Sequence, residues 1–157
     1  MEKKFTDIIN GHRGILFKVC NLYCHEDEDR KDLFQEVVIQ LWKAFPHFRN
    51  DSLVSTWMYR VALNTAISYF RKESKKPERQ SISSLEFEIP EISATTDDER
   101  SDLLKQAIGQ LTRIEKAVIM LYLEEKSYDE ISAIIGITKA NTGVMLNRIK
   151  TKLEKII

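Results

Sequence analysis

The sequence FRNDSLVSTWMYRVALNTAISYFRK, residues 48–72, decides the fold because it predicts a loop followed by a largely apolar helix. At about 100° per residue, apolar side chains cover two adjoining sides of this helix. The remaining polar stripe contains Arg60, Asn64, Ser68 and Arg71, with Trp57 at its head. Two cations and an amide in line favour an anionic or hydrogen-bonding partner, and their chemistry suits single-stranded nucleic acid. A bundle helix whose stripe simply faces water explains the pattern equally well.

The composition predicts an all-α protein. The 157 residues are 43% hydrophobic and 31% charged, with only five glycines and three prolines among long runs of helix-forming residues. No apolar run approaches the ~18–20 residues of a membrane span, and the segment MEKKFTDIINGH lacks the apolar core of a signal peptide. We therefore expect a cytoplasmic protein without membrane insertion.

The zero formal net charge conceals an uneven distribution. Residues 1–75 carry 12 basic and 10 acidic side chains, residues 76–100 carry 3 and 7, and residues 101–157 carry 9 and 7. Two mildly basic blocks thus flank an acidic connection. Because nonspecific DNA affinity depends on the number of neutralised phosphates, this chain should bind DNA weakly unless a larger partner holds it there.

The two cysteines, Cys20 and Cys24, lie one helical turn apart and His25 follows them directly. A metal or redox role is conceivable, but zinc sites usually need four well-spaced ligands, and His12 and His47 are isolated. Buried thiols in a reducing compartment are the favoured interpretation. No metal or other cofactor is predicted, and a redox role for the pair stays open.

Three regions follow one another along the chain: a helical domain at 1–75, an acidic linker at 76–98 and a second helical domain at 99–157. In the first, the apolar spacing predicts one helix from about Phe5 to Cys24 and another from about Arg30 to Phe45, with the acidic run 26–29 as the connection. The second domain contains three capping boxes, and these predict helix starts near Asp97, Arg113 and Tyr128. The boxes are Thr96-x-x-Glu99, Thr112-x-x-Glu115 and Ser127-x-x-Glu130.

The last thirty residues predict a helix-turn-helix. Gly136 can adopt the left-handed conformation of a tight turn, Thr138 can cap the next helix, and that helix begins near Lys139. Isoleucines of the first helix match the apolar row of the second, which includes Leu146 and Ile149. The second helix of this motif enters the major groove of DNA, and the basic end of the chain favours that role over a scaffolding hairpin.

With both blocks described, the chain resembles the extracytoplasmic-function (ECF) sigma factors, small two-domain sigma subunits of bacterial RNA polymerase. DLFQEVVIQLW, residues 32–42, is similar to the helix of this family that binds core polymerase. Residues 48–66 are similar to its promoter-melting and −10 recognition segment. SYDEISAIIGI followed by NRIKTKL is similar to its −35 domain. The resemblance implies two helical domains and a sigma factor that binds core polymerase, selects promoters and promotes melting.

The resemblance also implies roles for particular residues. Contacts to core polymerase fall on Asp32, Gln35, Glu36 and Gln40. The residues implied to contact the −10 strand and to promote its melting are Phe48, Arg49, Asn50, Asp51, Ser52, Trp57, Arg60, Asn64 and Arg71. Contacts to −35 DNA fall on Lys139, Asn141, Gly143, Val144, Asn147, Arg148, Thr151 and Lys152. The implied partners are promoter DNA, an anti-sigma factor, and core RNA polymerase through its largest-subunit clamp helices and flap region.

One position departs from the family pattern. The family usually carries one or two basic residues early in the recognition helix, where this chain has Gly143, Val144 and Met145. Direct −35 contacts are then expected to be fewer, with more reliance on Asn147, Arg148 and DNA shape.

Three rival functions compete with this interpretation. A helix-turn-helix regulator acting on duplex DNA without polymerase is the strongest rival, although residues 1–75 offer no ligand-sensing or phosphoacceptor domain. An enzyme is disfavoured because the sequence has three scattered histidines and no phosphate-binding glycine loop or nucleophile–base motif. A pure interaction module leaves the polar stripe at residues 60–71 unexplained.

Overall fold

The computed structural model describes residues 2–48, 53–73 and 99–156, with side chains described except at 70–73 and 99–101. Every secondary-structure element in these residues is helical, which confirms the all-α prediction. They form two compact units. The first contains α1 (Glu2–Gly11), α2 (Arg13–Tyr23), α3 (Asp27–Ala44), a 3-10 turn (Phe45–His47) and α4 (Val54–Glu73). The second contains α5 (Glu99–Gly109), α6 (Arg113–Leu123), α7 (Tyr128–Ile135) and α8 (Lys139–Ile156). None of the described helices is long and apolar enough to cross a membrane.

The first unit is built around α4, which packs against both α2 and α3. The core side chains recur every three or four residues on each helix, so each helix turns one apolar face inward. Fully buried members are Leu16, Val19, Leu33, Val37, Leu41, Met58, Ala62, Leu63 and Ala66. Burial of each larger aliphatic side chain stabilises the fold by roughly 1.5–3 kcal/mol.

The single helix predicted from Phe5 to Cys24 is wrong, because the chain breaks at His12 between α1 and α2. His12 has φ −130° and ψ 27°, and its ring Nδ1 lies 3.0 Å from the Ile8 carbonyl oxygen. Glycines on both sides, Gly11 and Gly14, lower the helix propensity of this segment. The apolar spacing continues across the break, which is why periodicity alone did not reveal it.

The boundary between α2 and α3 also differs from the prediction. The acidic residues Asp27, Glu28 and Asp29 form the first turn of α3 rather than a connection. Acidic side chains are stabilising near the N-terminus of a helix, which is the positive end of the helix dipole. The helix therefore begins earlier than apolar spacing alone suggests. Arg30 holds this start against α2 through a 2.8 Å ion pair to Asp27 and a 3.1 Å hydrogen bond to Asn21.

Two capping boxes fix the helix starts of the second unit as predicted. Thr112 accepts from the Glu115 amide while the Glu115 carboxylate accepts from the Thr112 amide, and Ser127 and Glu130 repeat the arrangement. α6 and α7 accordingly begin at residues 113 and 128. The third box lies partly outside the described residues, and the predicted linker at 76–98 lies entirely outside them.

The helix-turn-helix prediction is confirmed in its local geometry. Gly136 ends α7 with φ 85°, the left-handed conformation that favours glycine. Thr138 Oγ1 accepts a 3.1 Å hydrogen bond from the Asn141 amide and so caps α8. α8 packs against both α6 and α7. Its buried residues are Thr142, Leu146 and Ile149, which lie along one face of the helix. The opposite face points away from the core.

Candidate polymerase and DNA interfaces

The residues proposed to bind polymerase form one ridge along α3. Asp32, Gln35, Glu36 and Gln40 are all half-buried, whereas Leu33 and Val37 on the same helix are completely buried. Gln40 Nε2 donates a 3.1 Å hydrogen bond to Glu36 Oε1, so these two side chains are aligned with each other. The ridge therefore presents carboxylates and amides together.

The polar stripe predicted on α4 is present. Arg60, Asn64 and Ser68 are exposed, while the flanking residues Tyr59, Leu63 and Ile67 are buried. The exposed positions recur every four residues because they follow one helical face. Arg71 belongs to α4, but its side chain lies outside the described part of the chain.

A polar groove joins the α3 ridge to the α4 stripe. Its volume is about 360 Å³. The lining residues are Glu36, Gln40, Asn64, Thr65, Ser68 and Tyr69. Two predicted sites that are separate in sequence thus share one surface, which we call the α3–α4 groove. Its described lining offers a carboxylate, two amides and three hydroxyls, and no cation.

Aromatic rings gather where α4 begins. The Phe48 and Trp57 rings are stacked with centroids 4.7 Å apart, and the Phe45 centroid lies 6.3 Å from that of Trp57. Phe5 extends the group by edge contacts to Trp42 and Phe45 at 5.0 and 5.5 Å. Phe48 and Trp57 are therefore packed on each other and only half-exposed. Of the residues predicted to contact the −10 strand, Arg49, Asn50, Asp51 and Ser52 lie outside the described residues.

The outward face of α8 carries several of the predicted −35 residues. Opposite the buried Thr142, Leu146 and Ile149, the exposed residues are Val144, Asn147, Arg148, Thr151 and Lys155. Val144 is 52% exposed, so the face offers an apolar contact as well as an amide and cations. Gly143 lies elsewhere: a Cβ there would be 3.6 Å from Tyr128 Cε2 of α7. Asn141 is exposed near the start of the helix.

Three lysines of α8 interact within the second unit. Lys139 Nζ lies 3.5 Å from Asp129 Oδ1, and both side chains are well exposed. Lys150 Nζ lies 4.7 Å from the centre of the Tyr122 ring and 3.3 Å from its hydroxyl. Lys152 Nζ lies 2.9 and 2.8 Å from the two carboxylate oxygens of Glu115. Exposed pairs such as the first are weak and can exchange for a phosphate, but the third involves a buried carboxylate.

Glu115 is 4% exposed. Burial acts to raise the pKa of its carboxyl group. The hydrogen bonds from Lys152 and Thr112 and the charge of Lys152 outweigh that effect and hold the pKa below its usual value of 4.5. Glu115 is therefore ionised at neutral pH, and its charge is matched inside the unit.

The cysteine pair is buried, as predicted. Burial, and then proximity to Cys24, raise the pKa of the Cys20 thiol to about 12, although Arg30 acts in the opposite direction. A thiol in this state is a poor nucleophile and a poor metal ligand. Among the described residues, no three His, Cys, Asp or Glu side chains are grouped to hold a metal ion.

Comparison with known proteins identifies the family. Residues 8–76 match the family model of sigma-70 region 2, and residues 101–153 match that of sigma-70 region 4. The ECF RNA polymerase sigma-E factor of Escherichia coli (strain K12) is 30% identical over 140 residues, and the match covers 82% of this chain and 72% of that protein. This chain belongs to the ECF sigma factors. It is thus related to the subunits that direct RNA polymerase to promoters.

Other members of the ECF group agree in sequence and fold. RNA polymerase sigma factor YlaC of Bacillus subtilis (strain 168) is 27% identical over 139 residues, and the match covers 83% of this chain and 79% of that protein. The sigma factor RpoE of Bartonella quintana, solved in complex with the anti-sigma factor NepR, shares the fold with a TM-score of 0.71 at 17% identity. That similarity covers 99% of this chain and 94% of the other.

Sequence reasoning missed two features of this ECF sigma factor's surface. Thr65 and Tyr69 line the α3–α4 groove. The sequence did not predict this position, because the groove forms only where α3 packs against α4. The engagement of Lys152 with Glu115 joins residues far apart in sequence and was not foreseen.

Proposed function

We propose that this ECF sigma factor divides its work among three surfaces. The α3 ridge binds the clamp helices of core RNA polymerase, and the second unit adds a contact to the flap region. The α4 stripe, with the loop at 48–54, captures the unwound −10 strand. The outward face of α8 contacts −35 duplex DNA.

The observation that carries the −10 role is the exposure of Arg60, Asn64 and Ser68 on a helix whose neighbouring residues are buried. Arg60 supplies a cation for the backbone, and Asn64 supplies an amide that can both donate to and accept from a base edge. Unstacking a base costs a few kcal/mol, and stacking on aromatic side chains returns ~1–3 kcal/mol per base. Melting becomes favourable only when several such contacts form together.

The polymerase role of the α3 ridge is supported by its chemistry and position. Asp32 and Glu36 offer carboxylates and Gln35 and Gln40 offer amides at half-buried positions, where a partner can complete their desolvation. The α3–α4 groove places this ridge beside Asn64. A polymerase bound to α3 would therefore lie next to the captured strand.

The −35 role is supported by the capped α8 helix and its exposed face. Asn147 has the side-chain type that reads adenine in the major groove, and Val144 can contact a thymine methyl group. Arg148 and Lys155 supply charge for phosphates. The outward face of α8 then uses few cations to contact promoter DNA. This agrees with the formal net charge of zero for the whole chain.

In the proposed mechanism this chain makes and breaks no covalent bond. On this proposal the chain is not an enzyme and needs no cofactor. Its place of action is the cytoplasm, where core polymerase and DNA are found. An anti-sigma factor is a further proposed partner, because the structurally similar RpoE of Bartonella quintana was solved in complex with one.

The test of the −10 role is Asn64→Ala in a transcription assay reconstituted with core polymerase. Loss of one hydrogen bond to a base should lower transcript yield about two- to tenfold, while co-purification with core polymerase is unchanged. Asn10→Ala, an exposed asparagine on α1, is the matched control. Unchanged yield would remove Asn64 from strand capture. Loss of polymerase binding would assign Asn64 to the polymerase interface instead.

A regulator acting on duplex DNA alone is the second candidate, and the helix-turn-helix of α7 and α8 is the observation in its favour. It predicts tight binding of the purified chain to duplex DNA in the absence of core polymerase. The sigma-factor proposal predicts that such binding appears only with core polymerase present.

A further inference from the structure

The ion pair between Lys152 and Glu115 connects α8 to α6 in the second unit. Lys152 lies in the C-terminal half of α8, and Glu115 lies in the first turn of α6. Both carboxylate oxygens accept from the same ammonium, at 2.9 and 2.8 Å. The Glu115 side chain is 5% exposed and that of Lys152 is 44% exposed, so the carboxylate is the buried partner.

Glu115 has a second structural task. Its Oε1 accepts a 2.9 Å hydrogen bond from the Thr112 amide, and its own amide donates to Thr112 Oγ1 at 3.2 Å. The carboxylate that makes this cap is buried, and a buried charge without a partner is strongly destabilising. Lys152 is the cation that compensates it.

The ion pair holds the C-terminal end of α8 against α6. Leu146 and Ile149 are completely buried and anchor the middle of the helix, while Leu153 near its end is only half-buried. Lys152 ties this less buried end to α6. Arg148 and Lys155, on the outward face, lie within one turn of Lys152 along the helix. The tie therefore sets the direction in which these cations point.

We infer that Lys152 is a positioning residue for the recognition helix and not a phosphate contact. It holds α8 to the buried carboxylate of Glu115, while Arg148 and Lys155 contact the phosphates. This assignment rests on the proposed contact of α8 with −35 duplex DNA. An ammonium already held by a carboxylate releases no counterion from DNA, whereas a lysine on a phosphate does.

The experiment measures binding of a −35 duplex by holoenzyme, reconstituted from core polymerase and the full chain, over a range of salt concentrations. Lys152→Gln should lower affinity severalfold at every salt concentration, with an unchanged slope of log affinity against log salt. Arg148→Gln should reduce the slope by about 0.9, as expected for one lost phosphate contact. Lys105→Gln, an exposed lysine of α5, controls for the change in net charge.

A double variant separates positioning from simple loss of folding. Glu115→Gln/Lys152→Gln removes the buried charge together with its partner, and a glutamine oxygen can still accept from the Thr112 amide. This variant should recover most of the affinity lost in Lys152→Gln. In the free chain, amide exchange in the first turn of α6 and at the end of α8 should rise in Lys152→Gln and return towards normal in the double variant.

Two results overturn the inference. A slope reduced by about 0.9 in Lys152→Gln, without recovery in the double variant, would make Lys152 a phosphate contact. If Arg148→Gln, Lys155→Gln and Lys152→Gln all leave affinity and slope unchanged, α8 does not contact the duplex, and the proposed −35 role fails together with the inference. Only the second result also affects the proposed function.

Discussion

The two glycines of the helix-turn-helix should respond in opposite ways to the same substitution. Gly136 has φ 85°, where an L-residue costs roughly 1–2 kcal/mol, and a Cβ there meets nothing within 4 Å. The cost is purely conformational and is offset in part by the reduced freedom of the unfolded chain. Gly136→Ala should therefore destabilise the second unit by about 1 kcal/mol.

Gly143 is the matched control because it lies inside α8. Its added Cβ would be 3.6 Å from Tyr128 Cε2, an ordinary van der Waals contact, so Gly143→Ala should stabilise the unit by about 0.5–1 kcal/mol. The two variants should differ by about 2 kcal/mol, which is roughly thirtyfold in an equilibrium constant.

The assay is native-state amide hydrogen exchange in the full chain, read at the buried residues Leu146 and Ile149. Exchange there should be faster in Gly136→Ala and slower in Gly143→Ala than in the wild type. Gly136→Asn should fall between wild type and Gly136→Ala, because asparagine tolerates the left-handed region better than alanine. A shift of both alanine variants in the same direction would refute the reasoning.

Two further predictions concern titratable groups. Because the pKa of Glu115 lies below 4.5 in the folded chain, its contribution to stability is complete above pH 4.5 and is lost as pH falls through the folded value. Glu115→Gln should therefore flatten the loss of stability below pH 4.5 in urea unfolding followed by circular dichroism; an identical acid profile would contradict this pairing. With the pKa of Cys20 raised to about 12, iodoacetamide at pH 8 should modify the folded chain slowly and the urea-unfolded chain rapidly. Rapid modification of Cys20 in the folded chain would show that the thiol is accessible.

Local features of this fold could be predicted from sequence because their causes are local. The boxes at Thr112 and Ser127 depend on residues three positions apart, and the turn at Gly136 depends on one glycine. The stripe through Arg60 and Asn64 follows from helical periodicity alone. In each case the signal lies within a few residues of the structure that it predicts.

The failures lie where tertiary packing decides the outcome. The break at His12 keeps the apolar spacing on both sides, so no periodic pattern reveals it. The α3–α4 groove brings Glu36 to Asn64 only because two helices pack against each other. The pairing of Glu115 with Lys152 likewise depends on how α6 meets α8. The resemblance implied a −35 DNA contact for Lys152, and the ion pair with Glu115 is the observation behind the different role inferred above.

The aromatic group at the start of α4 gives the protein a built-in optical reporter. Both tryptophans of the chain belong to the first unit, Trp57 stacked on Phe48 and Trp42 against the edge of Phe5. Excitation at the red edge of the absorption band, where tyrosine is silent, would therefore report on this unit alone. Since Phe48 belongs to the loop proposed to capture the unwound −10 strand, a change in Trp57 emission would report a rearrangement of that loop.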